Sequence, residues 1–351
     1  MRQSGAAVRF GVIGCGVIAY WAHLRELPAV RNAVLVAAAD PNAEARRRVE
    51  SLIRIPVYAS AEELLGRSDI DAVVISTPTP THAPLAAAAC DARKHFYVEK
   101  PLASSREEGR QIMEAARRAG VTGAVGFNRR FHPVYQQARS MLAGGAIGRV
   151  RAVVAAICEP VSPALSVEWR RSRSSGGGAL LEFGSHLFDL LYWFLGSQPV
   201  EVSASLSSSE LIQEDTACVR LTMSDGCQVQ SLLTFRGGLS DFLEFVGEQG
   251  TMRVDRTSAF FSYRIPRRFG YGMRKGFVLP SRDVLKWWLR RLARPSYDAS
   301  YRRALGAFVD AVRGADSNHV TLADGMRSLE TVLAAEESAR AGHAVAGSYS
   351  C

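Results

Sequence analysis

Apolar residues in the N-terminal third come in short solid blocks rather than in alternation. Val8 to Ile13, Ala33 to Ala39, Ala72 to Ser76, His95 to Val98 and Thr122 to Gly126 are such blocks. A strand covered on both faces reads this way, as in a parallel sheet. Between the blocks lie helical stretches: Val17 to Val30, Glu44 to Leu52, Ala61 to Leu65, Ala83 to Ala92 and the amphipathic Glu107 to Ala119. Strand and helix in alternation predict a doubly wound α/β sheet. The pattern changes after Gly126. A helix over Pro133 to Leu142 precedes a long alternating strand, Arg149 to Ile157, and an apolar helix, Ala179 to Leu195. Five strands then follow: Val200 to Leu206, Ala217 to Met223, Gln228 to Phe235, Asp241 to Val246 and Thr251 to Asp255. Turn signals such as Asp225-Gly226 join some of them. Consecutive strands predict an open, mainly antiparallel sheet in an α+β domain. Helices near Tyr301 to Arg313 and Ala323 to Arg340 close the chain. The expected domains are 1–126 and 127–351.

Composition adds limits. The 351 residues are 47% apolar and 22% charged, enough for two globular domains. Met1 to Val8 carry one Arg and no apolar run, so no secretory signal is expected. No stretch of about 18 apolar residues is free of charge, so no spanning helix is expected. Six scattered cysteines, without CxxC or zinc-finger spacing, suit free thiols in a reducing cytoplasm and give no metal site. The expected location is cytoplasmic. The net charge of +9 favours anionic ligands, including phosphorylated or nucleotide-bearing substrates. No nucleic-acid module is present, and neither nucleic acid nor membrane is expected as a partner.

Chemistry begins at Gly14-Cys15-Gly16-Val17-Ile18-Ala19, a GxGxxA sequence between a strand and a helix. Gly14 permits a tight turn. Gly16 lets a pyrophosphate approach the backbone at the helix N-terminus, and Ala19 still permits close helix–strand packing. Asp40 ends the second strand. A carboxylate there can accept hydrogen bonds from the adenosine ribose and would repel a 2′-phosphate, which favours NAD over NADP. The competing reading is an Asp that simply starts a turn with Pro41. Ser76-Thr77-Pro78-Thr79 follows another strand's C-terminal end, where ligands of open α/β sheets bind. His82 could cap the next helix, touch cofactor or serve the fold. Glu99-Lys100-Pro101 follows the strand His95 to Val98. The Lys100 ammonium could stabilise negative charge on a substrate oxygen; a surface salt bridge is the alternative. The cofactor contacts expected at the turn after the first strand and beyond it are Gly14, Gly16, Val17, Ile18 and Asp40. Thr77, Pro78, His82, Glu99 and Lys100 complete them.

In the second half, Gly176-Gly177-Gly178 leads into the helix Ala179 to Leu195. Its polar residues Glu182, His186 and Asp189 fall at i, i+4 and i+7, one stripe of an α-helix. Such a stripe must be paired or face a cavity; a satisfied polar seam is the bland reading. Gly184, mid-helix, suggests close approach of another backbone or a ligand.

Together these motifs, with Gly126-Phe127-Asn128-Arg129-Arg130-Phe131, resemble the Gfo/Idh/MocA oxidoreductases over nearly the whole chain. The resemblance implies a Rossmann domain followed by an α+β domain whose open sheet mediates assembly, here as a homodimer or homotetramer. It implies oxidation or reduction of a hydroxyl on a sugar, sugar nucleotide or cyclitol. The family's catalytic lysine maps onto Lys100 and its catalytic histidine onto His186. Glu182 stands where the family often has Asp, four residues before the histidine. The catalytic set is then Lys100, His186 and Glu182, and the substrate contacts are Lys100, Asn128, Arg129, Glu182 and His186. His186 would act as general base and Lys100 would orient the substrate, the two meeting near the nicotinamide. A hydrolase using NAD for transient oxidation and a non-catalytic NAD sensor are rival functions of the same fold. The segment Arg264 to Arg294, rich in Arg and aromatic residues, reads as a membrane-surface helix, an anion clamp or an arm packing on a partner subunit.

Overall fold

The computed structural model describes residues 6–160, 171–210, 212–257, 261–266, 273–277, 280–293 and 298–347. They fall into two compact units: Met1–Asn128 with Ser300–Leu329, and Arg129–Ala299 with Glu330–Cys351.

The first unit holds a six-stranded parallel sheet. Its strands are β1 (Val8–Ile13), β2 (Ala33–Ala39), β3 (Val57–Tyr58), β4 (Ala72–Ile75), β5 (His95–Val98) and β6 (Gly123–Val125). Their order is β3-β2-β1-β4-β5-β6, so the winding reverses between β1 and β4. Phe10, Val12, Val73, Val74 and Phe96 are wholly buried, which explains the solid apolar blocks. The two-residue β3 is too short to leave a periodic signal. The expected helix Val17 to Val30 is uneven. A wide turn, Ala19–His23, precedes one α-turn, Leu24–Glu26, and a tight turn, Leu27–Ala29, that holds Pro28.

The boundary after residue 126 describes the chain only partly, because Ser300–Leu329 belongs with the first unit. Phe308, on the helix Ala299–Val312, packs edge-on against Phe10 at 6.0 Å and against Tyr97 at 5.8 Å between ring centroids. Val125 N–H donates to the Val320 carbonyl at 3.0 Å. Asn128, expected to touch substrate, donates from Nδ2 to Ser300 Oγ at 2.7 Å within this unit. Periodicity shows that a helix has an apolar face, but not which sheet receives it.

The second unit holds a nine-stranded sheet. After β7 (Val150–Cys158) come β8 (Pro199–Ser207), β9 (Thr216–Met223), β10 (Gln228–Thr234), β11 (Ser240–Gly247) and β12 (Gly250–Asp255). β13 (Phe261–Pro266), β14 (Met273–Phe277) and β15 (Val345–Ala346) complete it. The order is β14-β13-β12-β11-β7-β10-β9-β8-β15. Every pairing is antiparallel except β7 with β10. The helix Ser185–Leu195 shares one core with this sheet through Leu187, Phe188 and Leu191 against Val229, Leu233 and Phe245. Gly184 makes that contact possible. A Cβ there would meet Leu180, Phe188 and Leu233 side-chain atoms at 3.1–3.3 Å. The close approach predicted at Gly184 is thus made by apolar side chains, not by backbone or ligand.

Two buried arginines tie elements of this unit together. Arg130 donates from Nε to Asp189 Oδ2 at 2.9 Å and from Nη2 to Oδ1 at 2.5 Å. Arg129 Nη1 stands 3.0 Å from Asp241 Oδ2, which also accepts from Arg256 Nε at 2.8 Å, while Tyr135 donates to Oδ1 at 2.9 Å. Burial would raise the Asp241 pKa, but Arg129, Arg256 and the Tyr135 hydroxyl outweigh it and hold the carboxyl below its ordinary value. Arg129, expected as a substrate contact, is here paired with a buried carboxylate.

The helix Arg282–Ala293 also belongs to this unit. Val284 and Trp287 are buried, and the Trp287 ring meets His132 at 4.7 Å. Of the segment Arg264 to Arg294, residues 267–272, 278–279 and 294 lie outside the described residues. Among the described residues no helix is long and apolar enough to cross a membrane.

Two outcomes follow for stability. Replacing Arg130 by Met strands a buried carboxylate, and should cost about 3–5 kcal/mol in urea unfolding; a loss under about 1 kcal/mol would mean that Asp189 has another partner of equal strength. His132 is fully buried, and burial, the largest cause, pushes its pKa down to about 4. The unfolded chain takes up that proton first, near pH 6.5. Stability present above about pH 6.5 is therefore lost as pH falls toward 4. His132 also accepts the Val134 N–H, capping the helix Pro133–Ala143. His132→Asn keeps a capping oxygen and should flatten the fall in Tm between those pH values. An unchanged profile refutes the assignment.

Candidate functional site

Strand register places the motifs of the first unit at one edge. Ile13 pairs with Ile75, and Ile75 with Val98, in adjacent parallel strands. The residues that follow each strand therefore emerge side by side, where the winding reverses and ligands of such sheets bind. Gly14 is at φ +90, and a Cβ would meet the Ser76 carbonyl at 2.7 Å. Ser76 Oγ in turn donates to the Gly14 carbonyl at 2.9 Å, stitching the two turns together. Gly16 differs: a Cβ there would meet nothing within 4 Å. The strained glycine shapes the turn, and the unobstructed one leaves the backbone approachable. Val17 is exposed, Ile18 half-buried.

Asp40 lies beside this turn. Its Oδ2 accepts the Cys15 N–H at 2.7 Å and its Oδ1 the Asn42 N–H at 2.7 Å. Each oxygen keeps a further lone pair for a ribose hydroxyl. Arg46 donates to the Asp40 and Pro41 carbonyls at 2.9 Å each. Burial, reinforced by the Asp40 charge, pushes the Cys15 thiol up to about 12, so it stays protonated. These residues fit a dinucleotide: an open glycine at a helix start and a carboxylate beside it.

The next two turns are held from within. His82 is buried, with Nδ1 2.9 Å from the Pro101 carbonyl and Nε2 3.0 Å from the Thr77 carbonyl. Burial pushes its pKa below the ordinary imidazole value, against the raising effect of those carbonyls. A neutral ring carries one N–H, so His82, expected to touch cofactor, donates to one of these carbonyls while its ring lies between the turn at Thr77 and the turn at Pro101. Thr77 is half-buried and Pro78 exposed.

Glu99, expected to touch cofactor, is also turned inward. Oε1 is 2.8 Å from His23 Nε2, and Oε2 accepts the Lys100 N–H at 3.2 Å. Burial would raise the Glu99 pKa, but the His23 hydrogen bond and the His23 and Lys100 charges win and hold it low. A Cβ on Gly126 would meet Glu99 Oε2 at 2.9 Å, so the third glycine of this crowded region leaves room for the carboxylate. His23 was not singled out from sequence. Its signal, a histidine on the helix after the glycine turn, becomes meaningful only with Glu99 beside it. Lys100 is half-buried at the end of β5.

In the second unit, Gly176 (φ +92) and Gly178 (φ +100) lead into the apolar helix that carries Glu182, His186 and Asp189. A Cβ on Gly178 would meet Glu214 Oε2 at 3.0 Å, and the Glu214 carbonyl accepts the Ala179 N–H at 2.8 Å. Burial, then the charge of Glu336, pushes the Glu214 carboxyl up. Glu214 also escaped the sequence reading, because its loop partner lies far along the chain. The helix opens with a wide turn, Leu180–Gly184, before the α-helix Ser185–Leu195. Spacing at 3.6 residues per turn holds from His186 to Asp189 but not across the wide turn. The predicted three-residue stripe is therefore interrupted. Asp189 is 1% exposed and paired with Arg130, His186 is 9% exposed, and Glu182 is half-buried.

Comparison with known proteins places these units. Residues 8–127 match the model of an oxidoreductase family with an NAD-binding Rossmann fold, and residues 135–253 match the GFO/IDH/MocA C-terminal domain. Inositol 2-dehydrogenase of Acidothermus cellulolyticus is 30% identical over 349 residues, 97% of this chain and 95% of that one. The dTDP-3,4-didehydro-2,6-dideoxy-alpha-D-glucose 3-reductase of Actinomadura kijaniata is 28% identical over 324 residues, 87% and 95% of the two chains. The fold is that of the WlbA dehydrogenase from Bordetella pertussis, solved with NADH and UDP-GlcNAcA. There the TM-score is 0.83 at 24% identity, over 98% and 99% of the chains. Family models thus match both units of a chain that carries a Rossmann turn, a strand-end lysine and a histidine-bearing apolar helix: the chain belongs to the GFO/IDH/MocA oxidoreductases, dehydrogenases and reductases with an NAD-binding domain.

Proposed function

We propose that the protein exchanges hydride between nicotinamide and a secondary hydroxyl of a sugar, sugar nucleotide or cyclitol. The observation that carries this reading is Lys100, which follows β5 at the edge that also presents the open Gly16 turn. Relatives named for inositol and for a dTDP-sugar support the substrate class. Gly14 and Gly16 would hold the pyrophosphate, and Asp40 the adenosine ribose. Nicotinamide, when bound, supplies the two-electron acceptor or donor. The Lys100 ammonium would donate to the substrate oxygen and stabilise its developing charge. His186 would take the hydroxyl proton on a ring nitrogen, and Glu182 would bind a neighbouring hydroxyl or tune His186. Glu99 would act through Lys100, whose main chain it holds. For assembly, the exposed Val154 on β7 and Leu232 on β10 offer a sheet face on which copies could pair as a dimer or tetramer.

A screen of free sugars, cyclitols and sugar nucleotides, followed as NADH absorbance, tests the reading. Stoichiometric NADH release is expected from at least one of them. Glycoside cleavage without NADH release would select the hydrolase instead. With a substrate in hand, His186→Ala and Lys100→Met should each lower kcat by about 10²–10⁴-fold while NAD affinity holds. Full turnover in either variant removes that residue from the mechanism.

Cofactor choice has its own test. Asp40 would repel a 2′-phosphate, so NAD should bind more tightly than NADP, and Asp40→Ala should weaken NAD and narrow the difference. Tighter NADP binding by the wild-type protein overturns the role given to Asp40.

A further inference from the structure

The net positive charge of this chain arises in one segment. Residues 264–294 hold ten Lys and Arg and a single acidic residue, Asp283, a net +9. The whole chain, with 43 basic and 34 acidic residues, also carries +9. The remainder is balanced, 33 against 33. The basicity that suggested an anionic substrate therefore belongs to a 31-residue segment of the second unit.

The helix Arg282–Ala293 shows how that charge is displayed. One edge is used by the fold, through buried Val284 and Trp287. Leu285, Trp288, Leu289 and Leu292 point elsewhere, exposed by 45, 41, 53 and 65%. Their spacing is i, i+3, i+4 and i+7, which makes one stripe about 100° wide. Arg282, Lys286 and Arg290, at i, i+4 and i+8, form an exposed row along the stripe's other edge. The helix is thus fastened along one edge, apolar on its open face and cationic beside it.

We propose that this face docks the protein on an anionic lipid bilayer surface, with the helix lying in the interfacial plane. The apolar stripe would enter the headgroup–acyl boundary, with Trp288 suited to that depth. Arg282, Lys286 and Arg290 would lie level with the lipid phosphates. Both halves of the pattern are needed by this partner and by few others. A soluble phosphate uses the cations but gains nothing from three leucines and a tryptophan. A second copy docked face to face would bring two such cationic helices together, each with four Lys or Arg against one Asp, because a two-fold contact repeats the same patch. This is surface attachment by a short helix, distinct from a membrane span.

Co-sedimentation of the full-length protein with vesicles tests the proposal. Binding is expected to phosphatidylcholine vesicles containing phosphatidylglycerol, with little binding to phosphatidylcholine alone and weaker binding in high salt. Arg282→Gln/Lys286→Gln/Arg290→Gln should lower partitioning by about 100-fold or more. Trp288→Ser/Leu289→Ser should abolish binding without changing NAD affinity or circular dichroism. Absence of binding to the anionic vesicles overturns the proposal, as does binding that survives either variant. A smaller mass by light scattering for Trp288→Ser/Leu289→Ser would assign the face to a subunit contact instead. Retention on double-stranded DNA with no vesicle binding would likewise overturn it.

Discussion

A carboxylate taken out of water must be met by positive charge or by hydrogen-bond donors, because desolvation otherwise neutralises it or unfolds its surroundings. Three of the buried carboxylates show this most clearly, and each organises the structure around it. Glu99 is met by His23 and the Lys100 main chain, Asp189 by Arg130, and Asp241 by Arg129, Arg256 and Tyr135. The first holds the turn that carries the proposed catalytic lysine. The second anchors the helix that carries the proposed catalytic histidine. The third joins the start of the second unit to the middle of its sheet. The chemistry is therefore carried by groups whose own positions depend on ion pairs that never need to touch a substrate.

What could be read from sequence was local. Solid apolar blocks gave away β1, β2, β4, β5 and β6, and GxGxxA announced its turn, because each depends on residues within a few positions. Gly14 and Gly16 even separated into their two duties, one for conformation and one for access. What could not be read was pairing across the chain. Nothing in Asn128-Arg129-Arg130 says that its members meet Ser300, Asp241 and Asp189. Nothing near His82 tells that its ring lies between two carbonyls. The wide turn at Leu180–Gly184 also defeats simple counting, since helical spacing assumes one pitch throughout.

Charge offers a related lesson. A net value taken over a whole chain describes no particular surface. Here it hides a balanced protein that bears one strongly cationic segment, and the segment's geometry, more than its sum, says what it can meet.

The first unit is assembled from two distant stretches of chain, and this has a consequence during synthesis. Phe10 and Tyr97 leave the ribosome long before Phe308, which packs against both rings. Roughly 170 residues separate the two stretches, about 10–30 s of elongation. Throughout that interval the nascent nucleotide-binding sheet presents an uncovered apolar flank. Chaperone occupancy of the growing chain should therefore last until the helix Ala299–Val312 has emerged.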